Sequence, residues 1–258
     1  MRACRILLGI ALVVTAGILA VAQSIPAQAP PLHVLASNGV QGAVTQIIPE
    51  CERAVGHRLD VEWGTTASLK QKIESGEPFD FTILTSEAID ALIKEGKLAP
   101  DSRASGPRVG IGIGVRAGAV KPQIGTAEAL KNTLLHANSV TYAAAGASRA
   151  AIDKMLNRMG IADALKSKTL LLGGADETAA AVREGKAEFL ITLISEIKSA
   201  KGLELAGPLP QQFQSYTSFA AAVGSAAKEA EAATKAVKFL TGPKAAVAFK
   251  SKGMQPVS

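Results

Sequence analysis

The stretch LHVLASNG at residues 32–39 decides the fold class, because a short apolar run passes directly into small polar residues and glycine. A run of this length and composition predicts a buried strand. Apolar residues then recur at three- and four-residue intervals from Val40 to Val55, which predicts a helix with one apolar face. Residues 32–55 therefore predict a strand, a tight junction and a helix.

The same unit repeats twice before residue 97. Residues 58–63 (RLDVEW) alternate in hydropathy like a strand, and residues 79–84 (FDFTIL) form a third strand candidate. Small polar residues follow each run, and each subsequent helix pattern ends at a glycine, Gly76 or Gly96. This β-α-β-α-β-α order predicts a mostly parallel sheet with helices on its faces.

A glycine-rich run, VGIGIGV at residues 109–115, separates this unit from a second one. It lacks GxGxxG spacing and no helix pattern opens behind it. It therefore predicts a strand whose glycine face lets another backbone approach, and not a dinucleotide loop. The remaining elements alternate strands with helices: strands at 139–144, 169–172, 189–193 and 219–223, a break at 207–210, and final helices at 226–240 and 243–250.

The N-terminal segment is typical of a targeting sequence. Arg2 and Arg5 precede an apolar run that extends from Ile6 to Ala22, and AQA at residues 27–29 offers a small-x-small cleavage site. We expect a secretory signal peptide over residues 1–29 and export of the remainder to the periplasm. An uncleaved membrane anchor is the alternative.

Composition excludes several classes of partner. The formal net charge is +6, but basic residues are scattered, aromatic residues make up 4% of the chain and export removes the partner, so we expect no nucleic-acid binding. Two cysteines and three histidines, without CxxC or HExxH, predict no metal site. Cys51 lies on the apolar face of the first helix and is expected to be a buried, unreactive thiol.

Catalytic motifs are weak in this sequence. There is no GxSxG, and the two SxxK matches, which begin at Ser195 and Ser225, lack companion motifs. Both are interpreted as exposed helix turns. We therefore predict no catalytic residue, no cofactor and no enzyme, with a secreted hydrolase or a ligand-sensing module for a membrane sensor as alternatives of another class.

Four strand-to-helix junctions carry small polar residues or glycine. In an open α/β sheet, ligands bind beyond the carboxyl ends of the strands, where helix N-termini present unpaired N–H groups and partial positive charge. Converging junctions of this kind would form an oxyanion site without a metal, although helix capping alone also explains each of them. The junctions are Ser37-Asn38-Gly39, Gly64-Thr65-Thr66, Gly146-Ala147-Ser148 and Gly173-Gly174-Ala175-Asp176.

Arg149 follows the third junction and lies at the start of a predicted helix, where a cation opposes the helix dipole. Two interpretations stay open. The guanidinium could form a structural salt bridge, or it could grip a ligand carboxylate or phosphate with two hydrogen bonds.

With these features the chain resembles a periplasmic solute-binding protein of an ABC importer, of the molybdate-binding type, over roughly residues 31–256. The resemblance implies an α/β fold of two lobes, each a mostly parallel sheet flanked by helices, joined by hinge crossovers near 110–116 and 215–222. Residues 30–112 and 218–258 would form lobe 1, and residues 113–217 lobe 2. The motifs that carry it are LHVLA at 32–36, WGTTASL at 63–69, PFD at 78–80, residues 185–193, and FLTGP at 239–243 before Gly253-Met254.

The resemblance also implies a function. Such a protein is a monomer that captures a small oxyanion such as molybdate or tungstate and delivers it to an ABC permease in the inner membrane. Its ligand contacts fall on Gly39 with Asn38 beside it, on Thr66, on the backbone N–H of Ser148, near Ala175 and Asp176, and on Leu193 or, after a shift of one residue, Thr192. Because a hydroxyl and a tyrosine are missing while Arg149 is added, a small organic carboxylate held by Arg149 is the alternative ligand. The residues predicted to bind it are Ser37, Asn38, Gly39, Thr65, Thr66, Ala147, Ser148, Arg149, Ala175, Asp176 and Thr192.

Overall fold

The computed structural model describes residues 29–255. The predicted signal peptide therefore lies outside the described residues, apart from Ala29. In the described range, none of the helices combines the length and the apolar character needed to cross a membrane.

The described residues form nine strands and ten α-helices. The strands are β1 Leu32–Ser37, β2 Leu59–Gly64, β3 Phe81–Thr85, β4 Ala104–Arg116, β5 Val140–Ala143, β6 Thr169–Leu172, β7 Phe189–Leu193, β8 Leu203–Pro208 and β9 Tyr216–Val223. The helices are α1 Asn38–Val55, α2 Thr66–Glu74, α3 Ser86–Lys94, α4 Ala127–His136, α5 Arg149–Met159, α6 Ala162–Lys166, α7 Ala175–Arg183, α8 Ile194–Ser199, α9 Ala230–Leu240 and α10 Pro243–Ser251.

The strands follow the order β2-β1-β3-β9-β4-β7-β5-β6, with β8 paired to β4. Strand β1 is parallel to β2 and β3, and β5 is parallel to β6 and β7. Strand β4 belongs to both halves, because it pairs with β9 as far as Gly110 and with β7 from Ile111 onward. The predicted two-lobed α/β fold is confirmed, but the sheet is mixed and not mostly parallel, because β4 is antiparallel to β7, β8 and β9, and β9 is antiparallel to β3. The predicted lobe boundaries fall within β4 and β9 and remain predictions.

The glycine face of β4 has the role that its sequence predicts. A Cβ added to Gly112 would lie 2.9 Å from the carbonyl oxygen of Gly207, so the close approach of β8 requires glycine there. Gln214, in the segment that leads back into β9, accepts a hydrogen bond from the Ile111 amide at 2.7 Å and donates one to its carbonyl at 3.0 Å. These contacts fix β4 where the two lobes meet.

Helix α1 packs its predicted apolar face into the core, and Cys51 is fully buried within it. Burial raises the pKa of the Cys51 thiol to about 12, and the nearby charge of Glu52 adds to the shift. The thiol is therefore protonated at neutral pH. The predicted burial of Cys51 is confirmed, and its low reactivity stays a prediction.

The structure departs from the sequence predictions in three places. The break expected at 207–210 includes the end of an unpredicted strand, β8, which tolerates Pro208 because it is paired on one side to β4 alone. The helix expected from residue 226 begins at Ala230, after a turn in which the Asp80 carboxylate accepts a hydrogen bond from the Glu229 amide. Helix α6 was not predicted.

Candidate ligand-binding cleft

The first junction brings the two lobes together. Ser37 caps α1, and its buried hydroxyl accepts a hydrogen bond from the Gly39 amide at 3.3 Å. Asn38 opens the helix and extends toward the other lobe, since a Cβ built on Gly174 would lie 4.0 Å from its side-chain nitrogen. The first and fourth predicted junctions therefore face each other.

Apolar side chains close the space around Gly39. A Cβ added there would lie 2.4 Å from Cζ of Phe219 and 3.0 Å from Cδ1 of Leu193, so a larger residue does not fit without rearrangement. The Gly39 carbonyl accepts a hydrogen bond from Ser195 Oγ at 2.7 Å. Ser195 is buried, so the interpretation of its SxxK match as an exposed helix turn was wrong.

The second junction contains a polar atom without a partner. Thr65 caps α2, its Oγ1 accepting from the Ser68 amide at 3.1 Å. The next residue, Thr66, has a buried hydroxyl oxygen that makes no hydrogen bond to any described residue. A buried polar group left in this condition costs about 1–3 kcal/mol, so it is normally satisfied by water or a ligand.

At the third junction, Arg149 forms its hydrogen bonds with nearby residues of its own lobe. The guanidinium donates from Nε to Asp153 Oδ2 at 2.7 Å and from a terminal nitrogen to the Ala144 carbonyl at 3.1 Å. It also lies 5.5 Å from the centroid of the Tyr142 ring. Of the two interpretations of Arg149, the structural salt bridge is present. Ser148 is buried at the start of the same helix, without a side-chain cap bond.

A carboxyl group that the sequence did not single out lies beside Thr192. The Thr192 hydroxyl donates a hydrogen bond to Glu196. Burial raises the pKa of the Glu196 carboxyl above its usual range, although the hydrogen bonds from Thr192 and from the Leu193 amide act in the opposite direction. The charge of Asp176 raises that pKa further.

Two cavities involve both lobes. The first, called here the α1-side cavity, has a volume of about 360 Å³, and the second, the hinge-side cavity, about 520 Å³. The α1-side cavity is lined by Asn38, Gln41, Gly42, Thr45, Gln46, Ala175, Asp176, Ala179, Glu196, Ser199, Ala200 and Lys252. The hinge-side cavity is lined by Thr66, Ala67, Thr85, Glu87, Ala145, Gly146, Ala147, Ala150, Ala151, Lys154, Ser215, Tyr216 and Thr217.

The electrostatics of the two cavities differ. The α1-side cavity has two acidic residues, Asp176 and Glu196, against one lysine, Lys252. The hinge-side cavity balances Glu87 with Lys154 and adds the N-terminal ends of α2 and α5, which carry partial positive charge. An anion is therefore better accommodated on the hinge side.

The structure brings together only part of the predicted site. Asn38, Ala175 and Asp176 line the α1-side cavity, and Thr66 and Ala147 line the hinge-side cavity. The other predicted residues line neither cavity, and their contact with a ligand stays a prediction: Ser37, Gly39, Thr65, Ser148, Arg149 and Thr192.

Sequence reasoning missed several lining residues, among them Glu87, Tyr216 and Lys154. A signal for Lys154 was present, since positions 147, 150, 151 and 154 share one helical face at three- and four-residue spacing. Tyr216 belongs to the hinge strand and could be found only from the tertiary structure. Among residues 29–255, no cluster of three or more histidine, cysteine or acidic residues could hold a metal ion.

The family profile described as bacterial extracellular solute-binding protein matches residues 32–255. An aconitate isomerase from Pseudomonas sp. is 30% identical over 231 residues, which cover 88% of each chain. The molybdate-binding protein ModA of Azotobacter vinelandii is 26% identical over 251 residues, covering 92% of this chain and 93% of that protein.

Solved structures with the same fold include two binding proteins. The periplasmic molybdate-binding protein of Azotobacter vinelandii superposes with a TM-score of 0.76 at 17% identity, covering 88% of this chain and 100% of that one. The sulfate-binding protein SubI of Mycobacterium tuberculosis gives 0.71 at 18% identity, covering 89% and 88%. With its two lobes, its shared strand β4 and the match over residues 32–255, the chain belongs to the family of bacterial extracellular solute-binding proteins.

Proposed function

We propose that the protein is the periplasmic substrate-binding component of an ABC importer and that it captures a small organic carboxylate between its lobes. The observation that carries this proposal is the buried hydroxyl of Thr66, which lines the hinge-side cavity and lacks a partner among the described residues. A carboxylate oxygen there would accept its hydrogen and the N–H groups at the start of α2. The loaded protein would then deliver its ligand, as a monomer, to a permease in the inner membrane.

A carboxylate is favoured over molybdate or tungstate by the surroundings of Gly39. The position of the expected hydroxyl is closed by Phe219 and Leu193. The tyrosine position that the resemblance implies falls on Leu193 or Thr192, and neither carries a phenol. Each unmet oxyanion contact would cost about 1–3 kcal/mol. The hinge-side cavity, about 520 Å³, has a volume typical of pockets for organic ligands. The Pseudomonas relative is named for aconitate, an organic carboxylate.

Binding should close the lobes about the two strands that connect them. Hinge bending near Gly110 in β4 and Tyr216 in β9, which pair with each other, would narrow both cavities. We expect a saturating ligand to make the protein more compact in small-angle scattering. Identical scattering profiles with and without a bound ligand would contradict the hinge.

A thermal-shift panel tests the ligand class. It should contain molybdate, tungstate, sulfate, phosphate and a series of mono-, di- and tricarboxylates. A ligand at about 100 times its dissociation constant adds roughly 2.7 kcal/mol to the free energy of unfolding, which is several degrees for a chain of this size. We expect this shift with carboxylates. A shift with molybdate and tungstate alone would overturn the carboxylate assignment. The ligand would then be the metal oxyanion that the resemblance to molybdate-binding proteins implies.

A second candidate function is isomerisation of an unsaturated polycarboxylate. The observation that favours it is the Glu196 carboxyl, which lines the α1-side cavity with Asn38 and has a raised pKa. The Glu196 carboxylate would take a proton from a methylene carbon, the electron pair would shift through the neighbouring double bond, and the same carboxyl would return the proton to the far allylic carbon. No redox partner or metal is needed for this proton shift.

Proton NMR in D₂O distinguishes turnover from binding. If the protein isomerises cis- or trans-aconitate, the two isomers should interconvert and deuterium should enter the allylic carbons, and Glu196→Gln should abolish both. Binding of aconitate without interconversion or exchange would exclude the second candidate and leave the binding function standing.

A further inference from the structure

The hinge-side cavity takes its lining from three parts of the chain. Thr66 and Glu87 come from the first turns of α2 and α3, Lys154 comes from α5 of the other lobe, and Tyr216 comes from the hinge strand. A ligand in this cavity would contact both lobes and the hinge at once. The affinity for such a ligand would therefore depend directly on how far the lobes close.

Lys154 is the cation of this cavity. Its ammonium group forms no ion pair with any described residue, whereas Arg149 on the same helix is paired with Asp153 and lines a separate cavity with Tyr142. An unpaired lysine on a helix is ordinarily a solvated surface group. Lys154 is exposed as well, but it lines a cavity that also contains the unpartnered hydroxyl of Thr66.

The position of Lys154 along α5 separates it from the start of that helix. It is five residues beyond Arg149, the first residue of α5, which corresponds to about 7.5 Å along the helix axis. The N–H groups at the helix starts and the Thr66 hydroxyl provide donors sufficient for one carboxylate. Lys154 lies about 1.4 turns beyond the donors at the start of α5, so it is available to a second anionic group on the same ligand.

We propose that the hinge-side cavity contains a subsite for a second carboxylate, bound by Lys154, so that the ligand is a di- or tricarboxylate. This rests on the proposed function, in which the first carboxylate binds at Thr66. Glu87, the other charged residue of the cavity, lies in the first turn of α3, whose N-terminal dipole stabilises its charge. Glu87 repels an anionic ligand and limits the net charge that the cavity accepts.

Calorimetric titration with acetate, succinate and tricarballylate tests the subsite. Lys154→Gln should lower the affinity for succinate and tricarballylate about tenfold or more, because it removes a charge-assisted contact, and should change acetate binding less than twofold. Lys154→Arg should retain most of the affinity. The matched control is Lys250→Gln, at an exposed lysine of α10 that lines neither interlobe cavity, and it should bind all three ligands like the parent protein.

A companion variant tests the sign of the ligand charge. Glu87→Gln removes the only negative charge among the residues lining the hinge-side cavity and should tighten succinate binding. Circular dichroism melts of each variant establish that it is folded. The subsite is overturned if Lys154→Gln binds the polycarboxylates like the parent, if it weakens acetate equally, or if Glu87→Gln weakens succinate binding. In those cases carboxylate binding by the parent still supports the proposed function, whereas a parent that binds no carboxylate overturns both.

Discussion

The hydroxyl of Ser195 donates a hydrogen bond to the carbonyl oxygen of Gly39 at 2.7 Å, and this bond joins residues 156 positions apart on opposite lobes. Ser195 is buried at the start of α8, and Gly39 is buried at the start of α1. The bond therefore joins the two lobes at Gly39, the position where the resemblance placed a ligand contact.

Ser195→Ala should loosen this contact between the lobes. The variant removes one buried hydrogen bond, while the Gly39 carbonyl still faces the Ala43 amide four residues further along α1, so the free energy of unfolding should fall by about 0.5–1.5 kcal/mol, or a few degrees in Tm. Small-angle scattering of the unliganded variant should show a larger radius of gyration. Ser225→Ala, at the exposed serine of the other SxxK match, is the control and should melt like the parent. Equal Tm values for both variants would contradict a role for the Ser195 bond.

Thr66→Val should separate ligand binding from stability. The valine is close in shape to threonine and removes a buried hydroxyl that lacks a partner, so the Tm of the unliganded protein should stay level or rise. The affinity for the ligand should fall about tenfold, because one hydrogen bond to a charged group is lost. Thr65→Val is the matched comparison. It removes a helix cap and should lower stability by about 1 kcal/mol. A Thr66→Val variant that binds normally would remove Thr66 from the site.

Gly39→Ala should be destabilising although alanine favours helices. The added Cβ would lie 2.4 Å from the Phe219 ring, and neither Phe219 nor Leu193 is exposed. Overpacking of this kind costs about 1–3 kcal/mol, which a urea titration would detect. Gly125→Ala is the control, because a Cβ built there meets no described atom within 4 Å. If Gly39→Ala is as stable as that control, the pocket around residue 39 is open enough for a hydroxyl.

Local periodicity was sufficient to predict most of the fold. Strands β6 and β7 were placed at their observed ends because apolar runs bounded by glycine and polar residues are read from the chain directly. Strand β8 was missed because Gly207 and Pro208 are typical of a break, whereas an edge position tolerates them.

The candidate site was harder to predict than the fold, for a physical reason. Asn38 and Thr66 lie at junctions, which local sequence identifies. Tyr216 enters the cleft through tertiary packing, and Gly39 is confined by Phe219, which lies far away in the sequence. Lys154 shares a helical face with the third junction, and that local signal was overlooked. Arg149 carried a local signal that favoured the salt bridge, since Asp153 follows it at the i,i+4 spacing of helical ion pairs.

Cys51 should resist alkylation until the protein unfolds. Its pKa is raised to about 12, so almost no thiolate exists at pH 8, and the side chain is fully buried. Because the folded pKa lies above the unfolded value, the contribution to stability is complete below about pH 8.5 and is lost as pH rises toward 12. Iodoacetamide labelling at increasing urea concentration should follow the unfolding curve. Rapid labelling in the absence of urea would contradict this burial.

Glu196→Gln should change how stability depends on pH. The folded pKa of Glu196 lies above its usual value, so ionising the carboxyl costs free energy in the folded protein. This group's contribution is therefore present at pH values below about 4.3 and is lost as pH rises through the folded pKa. The glutamine stays neutral and can still accept from Thr192, so the variant should gain Tm relative to the parent at pH 7 and not at pH 4.

Asp176→Asn provides a second measurement, because it removes a neighbouring charge that raises the Glu196 pKa. It should shift the pH at which Glu196 ionises toward a lower value. If Glu196→Gln alters Tm by the same amount at both pH values, Glu196 is ionised normally and has no special capacity to carry a proton in the cleft.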